Sequence, residues 1–220
     1  MARPTPGSGR RPASWAARVI SLALGVGLSV SVTGCAQPSY RFVSSANRDL
    51  VLRVPRHWTA LNNDAAVKAA GLDPSTIGWT AFFEASPHPD VAQLQALSAP
   101  DPILFAESIP VSKDERASVT GDQLREMVLP GTPAARDEAV KQHTFAVLAD
   151  HDVTTPTEAG AHITYYVKFS GVTEVFDRIV LTDPKHTSVR VVFVHCSQKC
   201  YAAHRAEITD AVTSLTLKSH

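Results

Sequence analysis

The sequence predicts an α+β domain with a mostly antiparallel sheet and a C-terminal packing helix. Three observations predict it. Strand-like runs fill the C-terminal third of the chain, and their connections are too short for the crossover that parallel pairing needs. Capped helical segments lie between the earlier strand-like runs. The chain ends in an amphipathic helix.

The N-terminal half of the domain alternates short strands with short helical segments. Asn63 and Asp64 can cap a helix over 65–70, and Gly71 can end it. Asp90 can cap a helical turn whose apolar positions are Val91, Leu94 and Leu97. The strands expected here cover residues 49–55, 78–83 and 103–111.

The middle of the chain predicts two helices. Thr120 and Gln123 form a capping box, which precedes an apolar face made of Leu124, Met127 and Val128. Thr132 followed by Pro133 can begin a second helix, since proline is tolerated at the first helical position.

Four strands and a helix follow. Ser170-Gly171 and Asp183-Pro184 are turn signals between the strands, which cover residues 144–148, 162–169, 175–181 and 188–195. The final helix has a predicted buried stripe of Tyr201, Ile208, Ala211, Val212 and Leu215. Phe82 and Phe83 are adjacent in one strand and point to opposite faces, so we expect a sheet that is covered on both sides.

Composition excludes some classes of protein. The chain has 220 residues, 44% of them hydrophobic, with 21 basic and 21 acidic side chains. Zero net charge is atypical of a nucleic-acid-binding protein, which normally has a basic surplus or patch. The hydrophobic fraction is sufficient for a packed core, so disorder of the whole chain is not expected.

Residues 1–34 have the parts of a secretory signal peptide. They contain four arginines and no acidic residue, and an uncharged stretch runs from Val19 to Thr33. Fifteen residues would make a helix only about 22 Å long, short of the roughly 30 Å hydrocarbon core of a bilayer. We therefore predict removal of 1–34, a tether over 35–47 and one domain over 48–220.

The end of this segment resembles a bacterial lipobox. Val32-Thr33-Gly34-Cys35 places a hydrophobic residue and two small ones before a cysteine. The resemblance implies cleavage between Gly34 and Cys35 and a covalent diacylglycerol and acyl lipid on Cys35. More than one acyl chain would hold the protein stably on the extracytoplasmic face of the cell membrane. The alternatives are an ordinary signal peptide with a chance cysteine, or a short uncleaved anchor.

If Cys35 carries the lipid, the two remaining cysteines of the chain are Cys196 and Cys200. Outside the cytoplasm, an even number of remaining cysteines favours a disulfide. A spacing of four residues is compatible with a disulfide in a helical turn. Zinc ligation by both cysteines with His204 and the neighbouring His195 is an alternative, as is a redox-active pair.

The order of elements adds a second resemblance. The chain resembles the PsbP-like fold, which implies an α/β/α sandwich with a mostly antiparallel sheet. The matching features are a first strand ending Val54-Pro55-x-x-Trp58, a middle helix, an antiparallel meander and a final helix ending Val212-Thr213-Ser214-Leu215. Several lipoproteins of high-GC Gram-positive bacteria, of the LpqN/LpqT type, look similar, and 14 Arg against 7 Lys agrees with such an origin. The resemblance implies an assembly or adaptor role; Trp58 and Tyr201 are expected to fill the core.

Catalytic motifs are absent from the sequence. It contains no nucleophile elbow, no glycine-rich phosphate loop and no His-Glu-x-x-His zinc helix. Asp150-His151-Asp152 is the tightest acid–histidine cluster, but alternation in a strand would turn His151 away from both acids, so a solvated turn or strand end is favoured. We expect a rigid loop at Pro87-His88-Pro89-Asp90 and exposure of His186 in a turn.

Three functions remain open. The first is a non-enzymatic, membrane-tethered binding or accessory module of the cell envelope, without metal or cofactor, that engages an envelope protein. The second is a carrier of an apolar or envelope ligand, which would need a pocket lined by Phe82, Phe83, Tyr165 and Phe169. The third, a hydrolase or redox enzyme, has local support only between His195 and His204. Nucleic acid is not an expected partner, and the oligomeric state is not predicted.

Overall fold

The computed structural model describes residues 39–45 and 50–217. Gly34 and Cys35, with the predicted cleavage and lipidation sites, lie outside the described residues. The helices are α1 (Asn63–Ala69), α2 (Gly121–Val128), α3 (Pro133–Lys141) and α4 (Gln198–Val212), with 3₁₀ turns at Val91–Gln95 and Arg116–Ser118. In this part of the chain, no helix is long and apolar enough to span a membrane.

A seven-stranded antiparallel sheet forms the centre of the domain. Its strand order is β3-β4-β5-β9-β8-β7-β6, so β9 is the middle strand and β3 and β6 are the edges. Every pairing is antiparallel, as the short connections predict. The strands are β3 (Thr59–Ala60), β4 (Trp79–Glu84), β5 (Ile103–Pro110), β6 (Phe145–Thr154), β7 (Ala159–Phe169), β8 (Val172–Thr182) and β9 (Ser188–Ser197).

A separate small sheet has the strand order β1-β2-β10, in which β2 (Leu50–Pro55) lies between β1 (Tyr40–Ser44) and β10 (Thr216–Leu217). The predicted tether over 35–47 is therefore too long, because β1 lies within it. The apolar Phe42 faces outwards and the charged Arg41 faces inwards, so β1 lacks the usual alternation of buried apolar and exposed polar residues. Its pairing with β2 orders this segment.

Caps position the helices close to their predicted starts. Asn62, rather than Asn63, accepts the hydrogen bond that begins α1, from the amide of Ala65. Thr120 and Gln123 form the predicted capping box of α2. Met127 does not lie on the buried face of that helix, since it is 48% exposed.

Two faces of the large sheet are covered, as Phe82 and Phe83 predict. Phe83 belongs to a core cluster beneath α4 and the small sheet, and it is 5% exposed. Phe82, 2% exposed, belongs to a cluster on the opposite face with Ala66 of α1. A third cluster lies under α2 on that same face and includes Leu124 and Ile163. The predicted α+β sandwich with a C-terminal packing helix is confirmed.

Two attachments fix α4 to the sheet. Cys196 at the end of β9 and Cys200 in the first turn of α4 form a disulfide, with their Cα atoms 5.9 Å apart. Further along, the hydroxyl of Tyr201 donates to Oδ2 of Asp177 at 2.8 Å, and Oδ1 of that carboxylate lies 2.5 Å from Nε2 of His162. Burial, together with the charge of Asp177, raises the pKa of Tyr201 to about 12.

Replacing both disulfide cysteines by alanine, as Cys196→Ala with Cys200→Ala, should lower the free energy of unfolding by about 2 kcal/mol, because so short a loop removes little entropy from the unfolded chain. Urea unfolding of the oxidised wild type and the double variant would measure this. Reduced wild type serves as the control and should lose a similar amount. No loss in either form would contradict a stabilising disulfide.

Candidate functional site

The structure joins the two cysteines and separates the proposed zinc ligands. Cys196 and Cys200 are bonded to each other, which removes both thiolates from metal binding. His195 faces Glu174, with 2.8 Å between Nδ1 and Oε1, and Nδ1 of His204 lies 3.5 Å from Glu207. No group of three His, Cys, Asp or Glu side chains within the described residues could hold a metal ion.

Asp150 and Asp152 serve as ion-pair partners and lie inside strand β6, whereas the sequence favoured a turn or strand end. Nε of Arg125 on α2 lies 3.2 Å from Asp150, and the same guanidinium also binds Asp152. The strand alternation turns His151 to the other face, as expected. This cluster therefore fastens α2 to the sheet edge rather than forming a catalytic site.

His88 lies in a loop, as predicted, and is exposed. The predicted exposure of His186 is wrong, because this side chain is half-buried. Its Nδ1 lies 3.0 Å from the carbonyl oxygen of Arg116, so it links two turns. Trp58 is 1% exposed and fills the core, as expected.

The ligand pocket predicted for a carrier is not formed by its four expected residues. Phe82 and Phe83 are buried on opposite faces, and Tyr165 is fully buried in the cluster under α2. Phe169, by contrast, is 61% exposed at the end of β7. Alternation in β4 alone prevents the two phenylalanines from lining one cavity.

A different set of side chains meets on the face that carries α1 and α2. We call Glu107, Phe176, Arg178 and Phe193 the aromatic–arginine strip. All four are half-buried, on the central strands β5, β8 and β9. Because α1 packs on β4 and α2 packs on β7 and β8, the strip lies in the gap between them. Phe193 packs against the clusters under both helices.

Arg178 is the centre of this strip. Its Cζ lies 4.6 Å from the ring centroid of Phe193, 5.0 Å from Phe176 and 5.3 Å from Tyr165. Nη1 donates to the carbonyl of Val128, the last residue of α2, at 2.8 Å, so the cation also caps the negative end of that helix. Nε has no hydrogen-bond partner among the described residues, and burial lowers the pKa of Arg178.

Glu107 is the strip's acid. Burial raises its pKa to about 6, and the positive charge of Arg178 opposes that rise. A half-buried carboxyl group with such a pKa can gain or lose its proton when a partner binds.

One member of the strip, Phe176, belongs to a row of stacked rings. Tyr165, Phe176 and His195 stack in order across β7, β8 and β9, with centroids 5.1 and 5.5 Å apart. The carboxylate of Glu174 orients His195 and also accepts from the amide of Ser98 at 2.8 Å. The stack is thereby tied to the loop before β5.

Open grooves lie on both sides of Glu107. Thr80, which pairs with Glu107 in the sheet, lies in a groove of about 760 Å³ beside α1, together with Val67 and Trp79. Ile109, two residues after Glu107 and on the same face, lines a groove of about 520 Å³ beside α2 with Met127.

Sequence reasoning missed this strip, although one signal was present. Asp177 and Arg178 interrupt an otherwise apolar strand, and charged residues in a strand buried on both sides need partners. The identity of those partners depends on the register between β5, β8 and β9, which local sequence does not show.

Comparison with known proteins supports the fold alone. No family model and no curated protein matches the chain. The solution structure of cyanobacterial PsbP (CyanoP) from Synechocystis matches at a TM-score of 0.51 and 10% identity, covering 86% of this chain and 98% of that one. The fold is PsbP-like.

Two further solved structures match at lower TM-scores. LpqN of Mycobacterium tuberculosis, described as involved in cell envelope biogenesis, has a TM-score of 0.45 and 11% identity over 82% of this chain and 91% of its own. The Ran-binding protein Mog1p of Saccharomyces cerevisiae has a TM-score of 0.46 and 8% identity, over 81% and 95%.

The variant Glu107→Gln should be more stable than wild type at pH 8 and equal to it at pH 4. The folded state binds the Glu107 proton more tightly than the unfolded chain does, because folding raises the pKa of this carboxyl to about 6. The protonated carboxyl therefore stabilises the fold at a pH below its ordinary pKa, and this contribution is lost as the pH rises through about 6. Glutamine cannot ionise, and the expected gain at pH 8 is about 1–2 kcal/mol.

Urea unfolding at both pH values would measure the difference. Glu138→Gln, at an exposed position on α3, is the matched control and should change little, because exposed ion pairs contribute little. An equal effect of Glu107→Gln at pH 4 and pH 8 would contradict a buried, ionising carboxyl.

Proposed function

We propose that this protein is a lipid-anchored lipoprotein on the extracytoplasmic face of the cell membrane, which acts as a non-enzymatic accessory module by binding another envelope protein. The observation that carries the proposal is the Val32-Thr33-Gly34-Cys35 motif after a basic and then apolar leader. Acylation of Cys35 would confine the domain to the membrane, so a weak partner interaction would suffice.

The cysteine chemistry supports an extracytoplasmic location. Cys196 and Cys200 are paired in a disulfide, and such bonds persist in oxidising compartments. A third cysteine is left at the position where the lipobox requires it.

The aromatic–arginine strip supports a binding role. Arginine and aromatic side chains are enriched at the energetic centres of protein interfaces. Here Arg178 is held among three rings, so it loses little freedom when a partner covers it. Met127 adds exposed apolar surface at the edge of the adjoining groove.

The contacts of His162 and His195 support a non-enzymatic role. The carboxylate that faces His162 also receives the Tyr201 hydroxyl of α4, and the carboxylate that faces His195 also receives the amide of Ser98. Both pairs therefore connect elements of the fold.

A carrier of a small ligand is the second candidate. The groove of about 760 Å³ beside α1 is within the usual size range of ligand sites, and its lining includes Leu72, Ile77 and Trp79. Co-purification of a small molecule, with no protein partner recovered, would favour this function.

Wild-type protein should incorporate radioactive palmitate and sediment with membranes, whereas Cys35→Ala should do neither, because the acceptor thiol is missing. Labelling of cells, followed by fractionation and gel analysis, measures both. The paired control is the Cys196→Ala, Cys200→Ala variant, which should label like wild type. Equal labelling of Cys35→Ala and wild type would overturn the lipoprotein proposal.

A photo-crosslinking benzoylphenylalanine in place of Met127 should capture one envelope protein in intact cells, because this position borders the proposed docking surface. The same group in place of Leu148, which is 56% exposed on the edge strand β6, is the matched control. Crosslinked species would be identified by mass spectrometry. Capture of the same protein from both positions, or from neither, would contradict the assigned surface.

A further inference from the structure

The described domain begins close to the proposed lipid. Three residues separate Cys35 from Ser39, so an extended chain places their Cα atoms at most about 14 Å apart. Ser39 is itself fixed, because its carbonyl accepts from the amide of Arg56 at 3.0 Å. The small sheet is therefore the part of the domain that the proposed anchor brings to the membrane, and this inference rests on that anchor.

The two faces of the small sheet differ in character. Its inner face is apolar: Leu50, Leu52 and Val54 are completely buried against the core. On the same inner side, Arg41 lies over the ring of Phe83, 4.6 Å from its centroid. Strand alternation sends the neighbouring Phe42 outwards.

The outer face presents an aromatic and cationic surface. Phe42 is 73% exposed, the most exposed of the large apolar side chains in residues 39–45 and 50–217. Arg53 is directly opposite it in the register, and its Cζ lies 5.5 Å from the ring centroid of Tyr40. The Tyr40 hydroxyl donates to Asp210 at 3.1 Å, at the border with α4.

This combination fits a lipid surface. An apolar ring can enter the boundary between headgroups and acyl chains, a tyrosine ring suits the headgroup level, and an arginine can keep its charge among phosphates while its stem lies on apolar surface. Two acids lie at the border with α4, where Asp210 accepts from Tyr40 and Glu207 lies 3.5 Å from His57.

We propose that the outer face of the small sheet, with Phe42 as its most exposed apolar side chain, lies against the lipid headgroups beside the anchor. The aromatic–arginine strip is on the opposite face of the seven-stranded sheet, so this orientation leaves it open to a partner.

Site-directed spin labelling of the lipidated chain tests the orientation. A nitroxide would replace the side chain of Phe42, as Phe42→Cys, in protein anchored in vesicles of phosphatidylcholine and phosphatidylglycerol. A second label at Ser44→Cys reports on the same face. Phe169→Cys, 61% exposed at the end of β7, is the matched control. The soluble Cys35→Ala form with the same labels supplies the unanchored reference.

The label at position 42 should lose several-fold in collisions with an aqueous nickel chelate and gain in collisions with oxygen when the chain is anchored. The label at 169 should not change. Equal accessibility at 42 in anchored and soluble protein would overturn the orientation while flotation of the chain with vesicles upholds the lipid anchor. If the chain with native Cys35 carries no lipid and does not float with the vesicles, the proposed function is overturned, and the orientation with it.

Discussion

The central strands of the large sheet are buried on both faces, and the rest of the architecture follows from that constraint. In β9, Val192 and Val194 face the cluster beneath α4, while Val191 and Val189 face the cluster beneath α2. A sheet with two apolar faces must be covered twice. The small sheet and α4 cover one face, and α1, α2 and α3 lie on the other.

Charged groups within those covered faces determine how the layers are attached. Asp177 joins β8 to α4 through Tyr201, and Arg178, the next residue, joins the same strand to the end of α2. Adjacent residues of one strand thus fasten covers on opposite faces. The gap between α1 and α2 leaves Arg178 incompletely covered. In the proposed function, the residue that joins β8 to α2 is therefore also part of the surface that a partner would contact.

Local patterns predicted most of the elements because their signals are local. The capping box at Thr120 and the proline at Pro133 mark α2 and α3, and short turns force antiparallel pairing. The strand β1 and the partners of Arg178 were not predicted, because both depend on register between segments far apart in the chain. Met127 was misplaced, since helical spacing identifies a face but not where its boundary falls.

The proposed function combines membrane tethering on one side of the domain with partner binding at the aromatic–arginine strip on the other. Its central claim is that Cys35 is acylated while Cys196 and Cys200 are oxidised in the same molecule. Intact-mass spectrometry of the protein extracted by detergent from membranes, without reduction, tests this most directly. The account predicts a chain that begins at Cys35, carries diacylglycerol and acyl groups, and gains two hydrogens on reduction. A chain that retains residues 1–34, or one that carries no lipid, would contradict it.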